Sequence, residues 1–382
     1  MPNRVPFLCV LISLLAFPWS SPAHAEEHRL ATDGRINSRP ARLVLDTGLS
    51  FPLAVPKRAM PKFDLAMDDR SVDASATSVI AGFSKPVRIE LAPAFVAEDA
   101  VFAILEDGPE VIDWDMDAII GWPGMSGNQL HYSLRKAIVL LGDHIKLDMP
   151  GWSAFPMMDS NVLVFDAGSK NTKLPVLIDT GWSGGVQLSA PLWKAWRAQN
   201  GDRPHTFVGS FSPASGFQVM EQVFARQIQI GNATFRNVMV SEAPSKEANG
   251  SIPPAASLGL AAFANHELLI DGLSRTVHVA PADATAVLPN YNRLGATFMP
   301  GTMAAKVAPE SPASAADIKD GDVLVEIDGL APADYAAKLT THSAWEQPAG
   351  TVVTLTLERA GQRISRRTVL ENFLETTNAS KP

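Results

Sequence analysis

Two aspartates in this chain stand in nearly the same setting. Asp46 follows Leu43-Val44-Leu45 and precedes Thr47-Gly48-Leu49-Ser50; Asp179 follows Val176-Leu177-Ile178 and precedes Thr180-Gly181-Trp182-Ser183. Three apolar residues ahead of a charged one read as a buried strand that delivers its carboxylate into a tight turn. Two carboxyls held close together cannot both ionise easily, so one proton is shared and the pair titrates as a unit. A water between them can lose a proton to one member while the other donates to a scissile carbonyl. That is general acid–base hydrolysis of a peptide bond, with no covalent intermediate and no requirement for a metal.

The neighbouring residues suit this task. Gly48 and Gly181 let the turn bring amide N–H groups against the carboxylates. Thr47 and Thr180 offer hydroxyls to lock the facing loops together, and Ser50 and Ser183 can orient the outer carboxylate oxygens. One Asp-Thr-Gly alone would say little, because Asp-Gly-type turns are common at strand ends. Two in matching contexts say much more.

The elements needed to position the pair also recur. Ala118-Ile119-Ile120-Gly121 lies downstream of Asp46 and Ala256-Ser257-Leu258-Gly259 downstream of Asp179, with the glycines 75 and 80 residues beyond their aspartates. This repeat predicts two similar lobes, over 26–148 and 149–282. Alternating runs at Val87–Leu91 and Phe224–Gly231, and strand-like stretches at 137–141, 268–271 and 276–279, predict that both lobes are mostly β. One helix is expected over 191–200, with Ser189 as its cap and Pro191 in its first turn. Hairpins over 77–86, with a tip near Gly82, and over 207–218 are candidate covers for a cleft. Trp122 and Trp182 are candidate subsite walls, although core packing is the commoner role of a buried tryptophan. Residues 283–289, in an Ala/Pro-rich passage, read as a linker to a third unit over 290–374, with a polar tail at 375–382.

On these residues the chain resembles the aspartic proteases of the pepsin and retroviral-protease group, whose signature is apolar-apolar-Asp-Thr-Gly-x-Ser with a later apolar-apolar-Gly. Ile119-Ile120-Gly121 fits the later element, whereas Ser257 replaces an apolar residue in the second copy. The resemblance implies a bilobal pair of β barrels, with Asp46 and Asp179 as a catalytic dyad across an inter-lobe cleft. Thr47, Gly48, Ser50, Thr180, Gly181 and Ser183 would support it, the substrate would be a peptide or protein, and no cofactor would be needed. Pepsin-like members carry a tyrosine on the hairpin over the cleft. Tyr132, Tyr291 and Tyr335 lie outside both candidate hairpins, so the resemblance is closer to the retroviral type.

The third unit reads Arg293-Leu294-Gly295-Ala296-Thr297, then Lys306 to Ala313, then Ile318 to Gly329. It resembles an α+β bacterial PDZ domain, most specifically at Gly321-Asp322-Val323-Leu324 and Asp328-Gly329. A helix over 332–339 and a final hairpin turning at Ala360-Gly361-Gln362 complete that order. The resemblance implies that Leu294-Gly295-Ala296 presents backbone N–H groups to the terminal carboxylate of a peptide partner, which adds as a strand. A unit that simply packs on the lobes is the other reading.

Rival functions are carried by fewer residues. Gly181-Trp182-Ser183-Gly184-Gly185 fits the Gly-x-Ser-x-Gly elbow of serine hydrolases, with Asp271 and His278 following in the right order. The residues after Ser183 read as a strand, however, where an elbow needs a helix. A catalytically silent, peptide-binding scaffold is a further alternative. The histidines beyond the leader, at 28, 131, 144, 205, 266, 278 and 342, show no paired metal-ligand spacing, so no metal is expected. No glycine-rich phosphate loop is present.

Composition sets the remaining bounds. The 382 residues are 46 % apolar and 19 % charged, which suits ordinary globular folding. Arg4, the apolar run from Val5 to Phe17 and the small residues Ala23 and Ala25 predict a signal peptide over 1–25. The expected product is exported, periplasmic or secreted, with no integral membrane segment after cleavage. The only cysteine, Cys9, falls inside that leader, which removes thiol chemistry from the mature chain. A net charge of −8 without clustered Lys and Arg argues against nucleic acid as a partner. Two motifs in one chain predict a monomer.

Overall fold

The computed structural model describes residues 10–11, 30–69, 80–91, 95–107, 116–136, 138–142, 145–201, 203–212, 216–244, 253–283, 285, 287–339 and 343–375. Of the expected leader, only Val10 and Leu11 fall within these, paired antiparallel with Leu141 and Leu140. Residues 376–382 of the expected tail lie outside the described residues. The chain is mostly β.

An eight-stranded sheet carries Asp46. Strand β1 (Arg39–Asp46) pairs antiparallel with Ala31–Ile36 and parallel with β2 (Ala118–Gly121), in the register Leu45 opposite Ile120 and Asp46 opposite Gly121. Leu43, Val44 and Leu45 are all buried. A strand flanked on both edges and covered on both faces takes an unbroken apolar run in place of alternation. Each such side chain contributes roughly 1.5–3 kcal/mol, so the run anchors the strand and leaves the carboxylate where the apolar stretch stops.

After β2 the chain forms β3 (Gln129–Ser133) and β4 (Ile138–Gly142), an antiparallel pair. A seven-stranded sheet then repeats the first arrangement. Strand β5 (Pro175–Ile178) ends at Asp179, and helix α1 (Ala190–Asn200) follows. A long hairpin, β6 (His205–Ser212) and β7 (Gly216–Ile230), leads to β8 (Ala256–Leu258), which lies parallel to β5 with Ile178 opposite Leu258. Ser189 holds the N-cap position of α1 and its carbonyl accepts from the Trp193 amide, but its hydroxyl makes no capping bond.

The halves expected at 26–148 and 149–282 share a third sheet. Strand β9 (Leu268–Asp271) pairs antiparallel with β3, Leu130 opposite Ile270, and Thr276–Val279 carries the sheet on to Ser153–Pro156. One apolar core runs through both halves, from Leu43 and Phe102 to Phe165, Ile178 and Phe235.

The C-terminal unit has a core of its own around Leu294, Ile318, Leu324, Val353 and Leu355. It contains the antiparallel pair β10 (Ala296–Phe298) and β11 (Ala305–Val307), and a three-stranded sheet of Val323–Ile327, Val352–Arg359 and Gln362–Val369. The last hairpin turns through Ala360 and Gly361, both at positive φ, with Arg359 opposite Gln362. Positive φ at both central residues matches the right-handed twist of the strands, which is why glycine falls there. The helix expected over 332–339 spans Pro332–Ala336.

Within the expected linker at 283–289, Asp283, Thr285 and Val287 are tied down. The Asn265 side chain accepts from the Val287 amide and donates to its carbonyl, while Arg135 bonds Thr285 and pairs with Asp283. Beyond it, Tyr291, Phe373 and Leu374 pack with Phe224 of β7 and with Met239, fixing the C-terminal unit to the second sheet.

Candidate active site

The apolar runs of β1 and β5 end in two turns that face each other. A Cβ on Gly48 would lie 2.6 Å from the Asp179 carboxyl carbon, and one on Gly181 only 2.4 Å from Asp46 Oδ2. Each glycine therefore makes room for the opposite carboxyl. Each also supplies an amide to its own: Gly48 N–H donates to Asp46 Oδ1 at 2.8 Å and Gly181 N–H to Asp179 Oδ1 at 3.0 Å. Burial pushes the Asp46 carboxyl above the ordinary carboxylate range. The Gly48 amide, a hydrogen bond with the Asp179 side chain, and the amides of Leu49 and Gly181 oppose that rise.

Thr47 and Thr180 are both fully buried and cross-bonded. The Thr47 amide donates to Thr180 Oγ1 at 3.0 Å and the Thr180 amide to Thr47 Oγ1 at 3.1 Å. Their hydroxyls then donate to main-chain carbonyls of the opposite strand, Thr47 to Ile178 at 2.6 Å and Thr180 to Leu45 at 2.7 Å. Leu163 adds a main-chain link, donating its amide to Thr47 O and accepting from Ile178 N.

The repeated apolar-Gly elements sit beside the aspartate strands. The turn after Asp46 passes over Gly121, whose amide donates to Pro52 O while Trp122 N–H donates to Leu49 O; the turn after Asp179 does the same with Gly259 to Gly185 O and Leu260 to Trp182 O. A Cβ on Gly121 would lie 2.0 Å from Phe51 O, and one on Gly259 lies 2.4 Å from Gly184 O. Only glycine admits this crossing.

Ser50 and Ser183 lie in these turns, half-buried and exposed respectively. The carboxylate oxygens Asp46 Oδ1 and Asp179 Oδ1 take their bonds from glycine amides. Ser183 is followed by the strand Val186–Leu188, so the strand–turn–helix of a serine elbow is missing. Asp271 Oδ1 accepts the amides of Leu273 and Ser274 and Oδ2 accepts from Gln129, and His278 sits in a strand opposite Leu269.

Trp122 is buried in the core, whereas the half-buried Trp182 lies over Gly184 and Gly259, where added Cβ atoms would meet its ring at 2.1 and 2.6 Å. The hairpin expected at 77–86 does not form among the described residues. Ile80–Phe83 pairs with Ala103–Leu105, and Val87–Leu91 pairs with Ala31–Ile36 and Phe95–Ala100. Pro86, with no N–H to donate, separates the two strands. The second expected hairpin is present as β6–β7; its residues 213–215 are outside the described set.

Leu294, Gly295 and Ala296 are buried together at the start of β10. The Leu294 and Gly295 amides both donate to Asn292 Oδ1 at 3.1 Å. Sequence reasoning missed Asn292, although an asparagine whose side chain can bond amides two and three residues on is a known turn signal. It also missed Leu163, which acts through its main chain and leaves no mark in residue type.

Among the described residues, no group of three His, Cys, Asp or Glu side chains is placed to hold a metal ion, and no helix is long and apolar enough to cross a membrane. In comparisons with known proteins, no family model matches the chain and no curated protein matches its sequence.

Proposed function

We propose that this protein is an exported aspartic-type endopeptidase, built as two β lobes with one aspartate each and a C-terminal PDZ-like unit that engages peptide. The observation that carries the reading is the facing of Asp46 and Asp179 across two glycines whose missing side chains leave the space their carboxyls fill. One carboxyl holds the shared proton and the other is ionised. A water between them attacks the peptide carbonyl carbon as the ionised carboxyl takes its proton, and the protonated carboxyl gives its own to the carbonyl oxygen. Collapse of the tetrahedral intermediate breaks the C–N bond: the proton held by the first carboxyl moves to the leaving nitrogen, and the second carboxyl takes back a proton from a hydroxyl of the intermediate, which leaves the acid product and the starting protonation state. The threonine cross-bonds support this reading because they hold both turns rigid, as a preorganised pair requires.

The test is cleavage of a broad peptide library between about pH 3 and 6 by wild type, Asp46→Asn and Asp179→Asn. Cleavage by wild type alone, with all three folded, is the expected result. No cleavage by wild type would favour a silent peptide-binding scaffold, and equal cleavage by the variants would mean that the activity does not come from the two aspartates. Sedimentation should find a monomer.

A further inference from the structure

Asn292 joins the C-terminal unit to the β6–β7 hairpin through its side-chain nitrogen and its main-chain carbonyl, while its side-chain oxygen bonds within the unit. Its Oδ1 accepts the neighbouring amides of Leu294 and Gly295. Its Nδ2 donates to Phe207 O at 3.0 Å and to Ala296 O at 2.7 Å, and its carbonyl accepts from Thr206 Oγ1 at 3.0 Å. Asn292 is 7 % exposed and Thr206 fully buried, so these bonds are sheltered from water. Lys306 of β11 adds a contact, its ammonium 5.6 Å from the Phe207 ring centre.

Two features make this more than packing. Successive N–H groups converging on one acceptor, the second from Gly295 at φ 73°, form a small concave nest that suits an anion. A neutral amide oxygen fills it, although a carboxylate would accept more strongly. Gly295 O and Met299 N bond toward β11, so the alternate groups of Ala296 point to the other edge of β10. On that edge Ala296 O is tied through Asn292 to Phe207 O, which places β6 alongside β10.

We infer that the C-terminal unit is self-occupied: Asn292 fills the nest, β6 lies along the strand edge, and a peptide ending in a free carboxylate takes both places only by releasing the hairpin. Docking and peptide binding exclude one another and are reciprocally coupled. The apolar contact of Phe224 and Met239 with Tyr291, Phe373 and Leu374 keeps the unit attached when the polar latch opens. The latch rests on the peptide-engaging role proposed for this unit but not on the aspartates, and none of its readouts is catalysis.

The test uses the full chain carrying Asp46→Asn, so that no probe is cleaved. Hydrogen exchange is followed in 205–212 and 294–298, and binding is measured with a dye-labelled random heptapeptide pool, free or amidated at its C-terminus. Asn292→Ala should speed exchange in both segments by about tenfold, the scale of a local opening, and should bind the free-carboxylate pool at least tenfold more tightly than the parent does, with no gain for the amidated pool. Asn292→Asp keeps an acceptor in the nest but loses both donors, so exchange should rise in 205–212 and stay slow in 294–295. Thr206→Val, which leaves the nest intact, serves if the Asn292 variants do not fold, and should speed exchange in 205–212 while raising peptide affinity. Unchanged exchange in 205–212 of the folded variants, or affinity of Asn292→Ala (or of Thr206→Val in its place) equal to that of the parent, overturns the inference.

Discussion

Thr47 and Thr180 each donate an amide to the other's hydroxyl, at 3.0 and 3.1 Å, and so join two turns that are 133 residues apart. Valine has nearly the same shape but can neither accept that amide nor donate onward to Ile178 or Leu45. Thr47→Val and Thr180→Val should each cost roughly 1–3 kcal/mol, because a buried amide and a buried carbonyl lose their partners. The two changes remove different hydrogen bonds, so a double variant that costs less than the sum would show that loosening one turn already weakens the bonds of the other. Denaturant unfolding of the four proteins measures this; a cost near zero for either single variant would show its cross-bond to be energetically idle.

Asp46 gives a pH signature separate from turnover. Its carboxyl is raised by burial, so the folded state holds the proton more tightly than the unfolded state. The resulting stabilisation is complete below the unfolded pKa and fades as pH rises through the folded value. Asp46→Asn keeps an acceptor for the Gly48 amide and removes this titration. Its stability relative to wild type should therefore increase from pH 3 to pH 7, and denaturant midpoints at the two pH values check it. A difference that does not change with pH would contradict a carboxyl raised by burial.

Gly48→Ala should cripple the site through space alone. The added methyl would lie 2.6–2.8 Å from all three atoms of the Asp179 carboxyl group. Moving reacting groups by about 1 Å can cost on the order of a hundredfold in rate. The proposed peptidase activity should fall by at least that factor, with an overpacking cost of about 1–3 kcal/mol in stability. Gly127→Ala, where a Cβ meets nothing within 4 Å, is the matched control and should leave activity unchanged.

In the C-terminal unit, Asp322 has a side chain only 2 % exposed and is gripped by Arg359 through Nε at 2.7 Å and a terminal nitrogen at 2.8 Å. The Arg359 bonds hold its carboxyl below the usual range against the opposing effect of burial. That stabilisation is present above the unfolded pKa and is lost as pH falls through the depressed folded value. Arg359→Met should lower the melting temperature of this unit near neutral pH by several degrees and much less at strongly acidic pH. Calorimetry across that range checks it; an equal loss at every pH would count against a charge effect.

The aspartates were legible because their signal is local: an apolar run stops, an acid follows, and glycine permits a close turn. The distant glycines, Gly121 and Gly259, were also legible, since steric crossing leaves only one residue type possible. Partners chosen at long range were not. Ile80–Phe83 has a turn glycine and a nearby proline, and by local rules reads as half of a hairpin, yet it pairs with Ala103–Leu105. Nothing in the alternation of a strand names its neighbour. For the same reason the shared sheet of β3 and β9 could not be read from two lobes drawn end to end, and Ser189 shows that a capping residue type does not guarantee a capping bond.

The pairing of β3 with β9 also constrains how the chain is made. Gln129 and Asp271, opposite each other in that pair, are 142 residues apart, so at about 5–20 residues per second a ribosome needs roughly 7–28 seconds to supply the second strand. Through that interval the nascent first half carries a strand edge whose native partner has not been synthesised, which is the condition under which edges find foreign partners. Truncation before Leu268 should therefore yield a fragment that clumps, and full-length yield should improve when translation is fast relative to collisions between unfinished chains.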